Sequence, residues 1–452
     1  MNIVEHLFRH ADRRAIALIC AGEEISYGEL IARTETAAAR LAGCPAARIA
    51  LDCPNGVAHV VLALAIVRAG KCLVPLAGEL AATERVRVLR ETGVGAILTE
   101  PGALVSLPAG VAAPPGTPPP EWAAHLDALH PAFIRFSSGT TGSSKGIVIS
   151  HETLLARVTA ANRGLGIGPA DRIVWILPMA HHFAVSIMLY LLHGAATIVE
   201  DSHLAEDVLS AGIAHRGTVL YGAPFHHALL AAEASGRAWP TLRLAVSTAA
   251  ALPETTAEAF LARYGLPLTQ GLGLIEVGLP LLNLQAARTK PGSIGRPLPD
   301  YEARLGEDGA LLLRGPGMFD AYLQPWRRRS EVLEEGWFRT GDLARVDEDG
   351  DYFLQGRASS VINVAGLKCF PEEIETVLAQ VPGVKLVRVS GRPHPKVGAV
   401  PLAEIVPEEA AAPPKIAALL SHCRTQLARY KVPVEIRFVE SLPLTASGKI
   451  KR

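Results

Sequence analysis

The sequence predicts an α/β protein in two parts: a large N-terminal domain of layered sheets with helices, residues 1–356, and a small C-terminal α+β domain, residues 357–452. Three observations carry that expectation. At 452 residues the chain is too long for one hydrophobic core, so it should divide. Helix-period and strand-period stretches take turns over most of its length, the pattern of stacked α and β layers with largely parallel sheet. Near Gly356 the pattern changes to a compact strand–helix–strand unit, which places the boundary at Gly356–Ser359.

The elements follow in order. Tyr27–Leu41 and Val60–Ala69 read as helices, between short runs at Arg48–Asp52, Ala96–Thr99, Phe133–Phe136 and Gly146–Ile149 that read as strands. Leu107–Pro120, rich in Pro, Gly and Ala, reads as an exposed crossing loop. The most apolar stretch, Phe183–Val199, is short for a membrane span and carries Ser186, His193 and Gly194, so it reads as a buried helix leading into a buried strand. Gly350–Phe353 makes a turn into a strand. Pro371-Glu372-Glu373-Ile374-Glu375 opens a helix, with proline in its first turn and acids at its positive end. The chain closes on the basic tail Lys449–Arg452.

Composition narrows the function classes. Lys plus Arg and Asp plus Glu are 44 each, so no global field attracts nucleic acid or anionic lipid, and any phosphate binding must be local. Six cysteines without a CxxC pair or a neighbouring histidine cluster read as reduced thiols, neither disulfide framework nor zinc site. The N-terminus lacks the apolar run of a signal peptide, and a soluble, cytoplasmic monomer or homodimer is expected.

The segment Ser137-Ser138-Gly139-Thr140-Thr141-Gly142-Ser143-Ser144-Lys145-Gly146 lies between two expected strands. Its glycines let the backbone curl so that several amides point at one anion. Six hydroxyls add donors, and Lys145 adds a mobile positive charge for phosphate oxygens. A flexible Gly/Ser linker would have neither the threonine pair nor the lysine. A P-loop requires glycine before the lysine, Ser or Thr after it, and then a helix. Here those positions are Ser144 and Gly146, and a strand follows, so the P-loop reading fails.

With four later motifs in the same order, this loop resembles the adenylate-forming superfamily of acyl- and aryl-CoA synthetases, nonribosomal peptide adenylation domains and firefly luciferase. Gly271-Leu272-Gly273-Leu274-Ile275-Glu276 stands where that family has Tyr-Gly-x-Thr-Glu, and Trp337–Leu343 is similar to its ribose motif. Gly356-Arg357 with Ile362, Gly366 and Pro371–Glu375 is similar to its hinge and the start of its small, mobile domain. Pro443–Ile450 is similar to its terminal lysine motif. The resemblance implies ATP, Mg²⁺ and coenzyme A (or the phosphopantetheine of an acyl carrier protein) as reaction partners, and a carboxylic acid activated as its acyl-adenylate. It assigns Ser137, Ser138, Gly139, Thr140, Thr141, Gly142 and Lys145 to the phosphates, and Thr248, Ala249, Gly271, Leu272, Gly273 and Ile275 to the nucleotide. Asp342 and Arg357 go to the ribose, Glu276 to the metal, Lys449 to catalysis and His181 to the gate of the acid site. The same resemblance makes Ser359 the hinge and has Gly366, Leu367 and Lys368 line a thiol tunnel.

Three positions depart from the family pattern. Leu272 replaces the tyrosine that stacks on adenine, Ile275 replaces a threonine, and Thr248-Ala249 replaces a glycine pair. Lost stacking of roughly 0.5–1.5 kcal/mol with every functional charge retained predicts weaker ATP binding. A catalytically weak binding relative is the contrasting reading, which Lys449 opposes. Where amino-acid-activating members of that superfamily place an aspartate to pair the substrate ammonium, Ala180–Ala184 holds no acid, so the resemblance disfavours an α-amino acid. An apolar lining of Phe183, Ala184, Ile187, Tyr221, Gly222, Ala223, Pro224, Leu272, Leu274 and Val277 suits an aryl or small acyl carboxylate.

Overall fold

The computed structural model describes residues 1–100, 102–105, 107, 122–136, 145–365, 367–444 and 450. The expected loop Leu107–Pro120 therefore lies almost wholly outside the described residues. By contact the chain forms two units: Met1–Glu302 with Arg314–Phe338, and Ala303–Leu313 with Arg339–Arg452.

In the first unit, one sheet is built on parallel strands in the order Ala196–Val199, Arg172–Trp175, Val219–Gly222, Leu244–Ser247 and Leu268–Leu274. Its edges turn antiparallel, with Gly278–Leu282 beside Leu268–Leu274 and Glu23–Ser26 beside Ile16–Cys20. A second sheet has Cys72–Pro75, Arg48–Asp52 and Ala96–Thr99 in parallel at its centre. Pro131–Phe136 joins it parallel to Cys72–Pro75 and antiparallel to Gly146–Ser150, which in turn pairs with Ala321–Tyr322. The parallel expectation thus holds at the centres. The two strands flanking the hydroxyl-rich loop run antiparallel.

Local chemistry sets the helix ends. Ser26 accepts from the Glu29 amide to start Tyr27–Leu41, and Ser150 accepts from the Thr153 amide to start His151–Leu165, which Gly166 ends in the left-handed conformation. Val57–Arg68 is buried almost all round, as an apolar helix without a polar face must be. Within the stretch read as one buried helix, Phe183–Ile187 is a turn of π-helix, followed by Met188–Leu192 and the strand Ala196–Val199. Among the described residues no helix is long and apolar enough to cross a membrane.

The second unit carries two sheets. Phe338–Val346 pairs antiparallel with Tyr352–Arg357, so the chain up to Arg357 is hydrogen-bonded into this unit, and Gly356–Ser359 lies inside it rather than at the contact boundary. Gly356 has φ +146°, a backbone conformation that side-chain-bearing residues rarely adopt and glycine takes without strain. Ser359 is exposed in the short 3-10 turn Ala358–Ser360. Beyond it the strands Val384–His394 and Gly398–Pro407 pack with the helices Pro371–Leu378 and Ile416–Gln426 around Ile374, Leu378, Ile405 and Leu419. The helix start at Pro371 falls where its first-turn chemistry places it.

Candidate active site

In the first unit, the strand Leu268–Leu274 delivers Gly271, Leu272, Gly273 and Leu274, and a tight turn then carries Ile275 and Glu276 before the chain reverses into Gly278–Leu282. Glu276 is therefore a turn residue. The turn is held from below. The Val277 amide donates to the Leu274 carbonyl at 3.0 Å, and the Phe319 amide donates to the Glu276 carbonyl at 2.7 Å. Arg157, buried, donates from Nη1 to the Ile275 carbonyl and from Nε and Nη2 to the Gly317 carbonyl. Burial pushes its guanidinium down to about 10, against the nearby charges of Tyr301, Asp320 and Glu276. Gly317, at φ +72°, lets its backbone lie against Arg157, where a Cβ would come within 2.3 Å.

Above the turn, the Tyr322 hydroxyl donates to Glu276 Oε1 at 3.3 Å, and Lys145 Nζ lies 4.6 Å from the centre of the Tyr322 ring. Burial and the Glu276 charge both raise the Tyr322 phenol pKa. Two sequence-predicted residues, Lys145 and Glu276, thus meet on a third that the sequence reading missed. The other predicted phosphate residues, Ser137, Ser138, Gly139, Thr140, Thr141 and Gly142, lie outside the described residues.

His181 lies against Glu79 and Arg135. Its Nε2 lies 2.5 Å from Glu79 Oε1, and its carbonyl accepts from Arg135 Nη1 at 2.5 Å. The hydrogen bond to His181 holds the Glu79 carboxyl below its ordinary value. Arg135 is pushed down to about 10 by burial, opposed by Glu276 and Glu79, and its Nε is buried without a hydrogen-bond partner among the described residues. Neither Glu79 nor Arg135 belongs to a motif. Their one sequence signal is a charge inside or beside an apolar strand. The neighbouring His182 packs edge-on to Trp175.

Tyr221 stacks on Trp175 at 5.7 Å, and burial pushes its phenol up to about 12, against a hydrogen bond to Thr248. That bond links an acid-lining candidate to a nucleotide candidate. The Thr248 amide also donates to the Gly222 carbonyl at 3.0 Å, and Ala249 takes a positive φ of 73°. Behind this wall, His227 Nε2 donates to the Val246 carbonyl and His226 Nδ1 accepts from the Ala223 amide, fixing the segment that carries Tyr221 and Gly222. Burial lowers both histidines, to about 4 and about 3, so they stand neutral. Leu272 is buried and Leu274 partly exposed. Val277 is fully buried, and Phe183 and Ala184 turn toward a small apolar void with Ile3, Phe133, Leu154 and Met188. All three side chains are buried.

In the second unit, Asp342 and Arg357 sit opposite each other across two antiparallel strands, with Arg357 Nε 2.7 Å from Asp342 Oδ1. The Asp342 amide donates to Thr340 Oγ1, while the carboxylate is buried and the guanidinium half-exposed. Leu367 is exposed on the hairpin Ile362–Val364 and Leu367–Cys369. Gly366, the Lys368 side chain and Lys449 lie outside the described residues.

Residues 5–323 match the model of the AMP-binding enzyme family, and residues 373–449 match its C-terminal domain. The chain belongs to this family. It is 35% identical to the sulfoacetate–CoA ligase of Cupriavidus necator over 80% of this chain and 74% of that one. It is 31% identical to a feruloyl-CoA synthase of an Amycolatopsis species over 96% and 94%. Among solved structures, ATP-bound MatB from Rhodopseudomonas palustris is similar, with a TM-score of 0.86 and 26% identity over 100% of this chain and 97% of that one. This AMP-binding enzyme is an AMP-forming ligase of the acyl- and aryl-CoA synthetase type, and ATP and CoA are substrates of the CoA ligases of its family.

Proposed function

We propose that this protein activates an aryl or small acyl carboxylic acid as its acyl-adenylate and then transfers the acyl group to the thiol of coenzyme A. The observation that carries this reading is the meeting of Lys145 and Glu276 on Tyr322, beside the His181–Glu79 pair and Arg135. A phosphate-seeking cation and a hard carboxylate thus lie together, as nucleotide and metal binding require.

In the first step a carboxylate oxygen attacks the α-phosphorus of ATP, the bond to the bridging oxygen breaks, and pyrophosphate leaves with that electron pair. In the second, the thiolate sulfur attacks the acyl carbon and AMP leaves. Two anions approach in the first step, so alignment and charge neutralisation dominate its barrier. Lys145 and the residues Ser137–Gly142 hold the departing pyrophosphate, and Asp342 accepts from the ribose hydroxyls with Arg357 beside it. Glu276, a hard oxygen donor held by a phenol on one side, fits Mg²⁺, which when bound supplies positive charge to phosphate oxygens. Lys449 neutralises charge between carboxylate and α-phosphate. His181 orders the acid, and Ser359 is the hinge of the second unit between the two steps.

The test is a panel of aryl and small aliphatic acids with ATP and hydroxylamine, read as pyrophosphate release. At least one acid should release pyrophosphate and give an acyl-CoA when CoA replaces hydroxylamine. Silence across the panel would sink the ligase reading, and thioester formed only on a holo-acyl carrier protein would replace CoA as acceptor.

A further inference from the structure

Tyr322 belongs to none of the five motifs, yet it touches the residues of two of them. It lies in the short strand Ala321–Tyr322, paired with Ile147, two residues beyond Lys145. The strand is clamped there: the Leu323 amide donates to the Gly146 carbonyl at 2.7 Å, and Gly146 packs so closely on Leu323 and Phe136 that an added Cβ would meet them at 3.0–3.1 Å. The ring is buried and held by Phe319 at 4.5 Å between centres. Its two polar contacts point at opposite charges. The hydroxyl donates to Glu276 Oε1, and the face of the ring receives the Lys145 ammonium.

Resting on the ligase reading, we infer that Tyr322 is a positioning residue that holds Lys145 and Glu276 apart and aimed before the nucleotide arrives. A free lysine and a free glutamate this close attract each other, and a direct ion pair would have to be broken for phosphate and metal to bind. The ring offers the ammonium an attractive face without consuming an acceptor, so its N–H groups remain available to phosphate oxygens. The hydroxyl takes one lone pair of Oε1 and leaves the rest of the carboxylate for a cation. The two halves of the side chain thus act on different partners: the ring on phosphate binding, the hydroxyl on the metal-dependent part of binding.

The experiment titrates a non-hydrolysable ATP analogue, with a methylene bridge between the α- and β-phosphates, into wild type, Tyr322→Phe and Tyr322→Leu by calorimetry, with and without Mg²⁺. Without Mg²⁺, Tyr322→Phe should bind as wild type does, and Tyr322→Leu about threefold or more weaker. With Mg²⁺, Tyr322→Phe should lose about threefold of the tightening that the metal gives wild type. Wild type that takes up no analogue removes the ligase reading and this inference with it. Wild type that binds while all three proteins titrate alike overturns this inference alone, as does a hydroxyl effect that appears only without Mg²⁺. Should the Leu variant fail to melt cooperatively, the Phe variant decides: unchanged Mg²⁺ tightening refutes the positioning role.

Discussion

At the scale of single residues, the site is an arrangement of charges whose partners lie far apart in the chain. Glu79 and His181 are the clearest pair, and their hydrogen bond sets a pH dependence. The Glu79 carboxyl is held below its ordinary value by His181, so its folded pKa is lower than its unfolded one. Its contribution is therefore present above the ordinary glutamate value of about 4.3 and is lost as pH falls through the depressed folded value. Melting temperatures of wild type and Glu79→Gln should differ at neutral pH, wild type being higher, and converge as pH drops below about 4. A gap that stays constant to acid pH would show that the pair contributes nothing through ionisation. Lys145, Glu276 and Asp342 were legible because each sits in a motif whose residue types state their chemistry. Arg135, Glu79 and Tyr322 were not, because a single charge or phenol in an apolar run means nothing until the fold supplies its partner.

At the scale of elements, most boundaries followed from local signals. Tyr27–Leu41 begins at its Ser26 cap, and Pro371–Leu378 begins with its proline. The π-turn Phe183–Ile187 had no signal, since a run apolar but for Ser186 carries too little periodicity to show its register. The turn at Glu276 shows how a remote element decides a local one. Its position depends on Arg157, donated from the helix His151–Leu165 to the carbonyls of Ile275 and Gly317. Arg157→Met should leave those buried carbonyls unsatisfied and cost roughly 2–4 kcal/mol of stability by urea unfolding. It should also raise the Mg²⁺ concentration needed for half-maximal adenylation, because Glu276 loses its support. A loss under about 0.5 kcal/mol would mean that the turn stands without this cation.

At the scale of the whole molecule, the proposed chemistry assigns Glu276 and Lys145, in the first unit, to metal and phosphate, and Asp342 and Arg357, in the second, to the ribose. Lys449→Ala should nearly abolish adenylate formation and spare thioester formation from a supplied acyl-adenylate, because only the first step brings two anions together. Equal loss in both half-reactions would refute that division of labour. The fold class, the family and the order of the motifs were determined by the sequence itself, since glycine spacing, hydroxyl clusters and helix caps act through neighbours along the chain. Tertiary structure alone decided that strand pairing carries the second unit back past Gly356 to Arg339. It also decided that Val277, Phe183 and Ala184 are buried and that one buried tyrosine joins Lys145 to Glu276. The physical reason is the same in each case: burial, Coulomb attraction and hydrogen bonding depend on distance through space, and those distances exist only once the strands have paired.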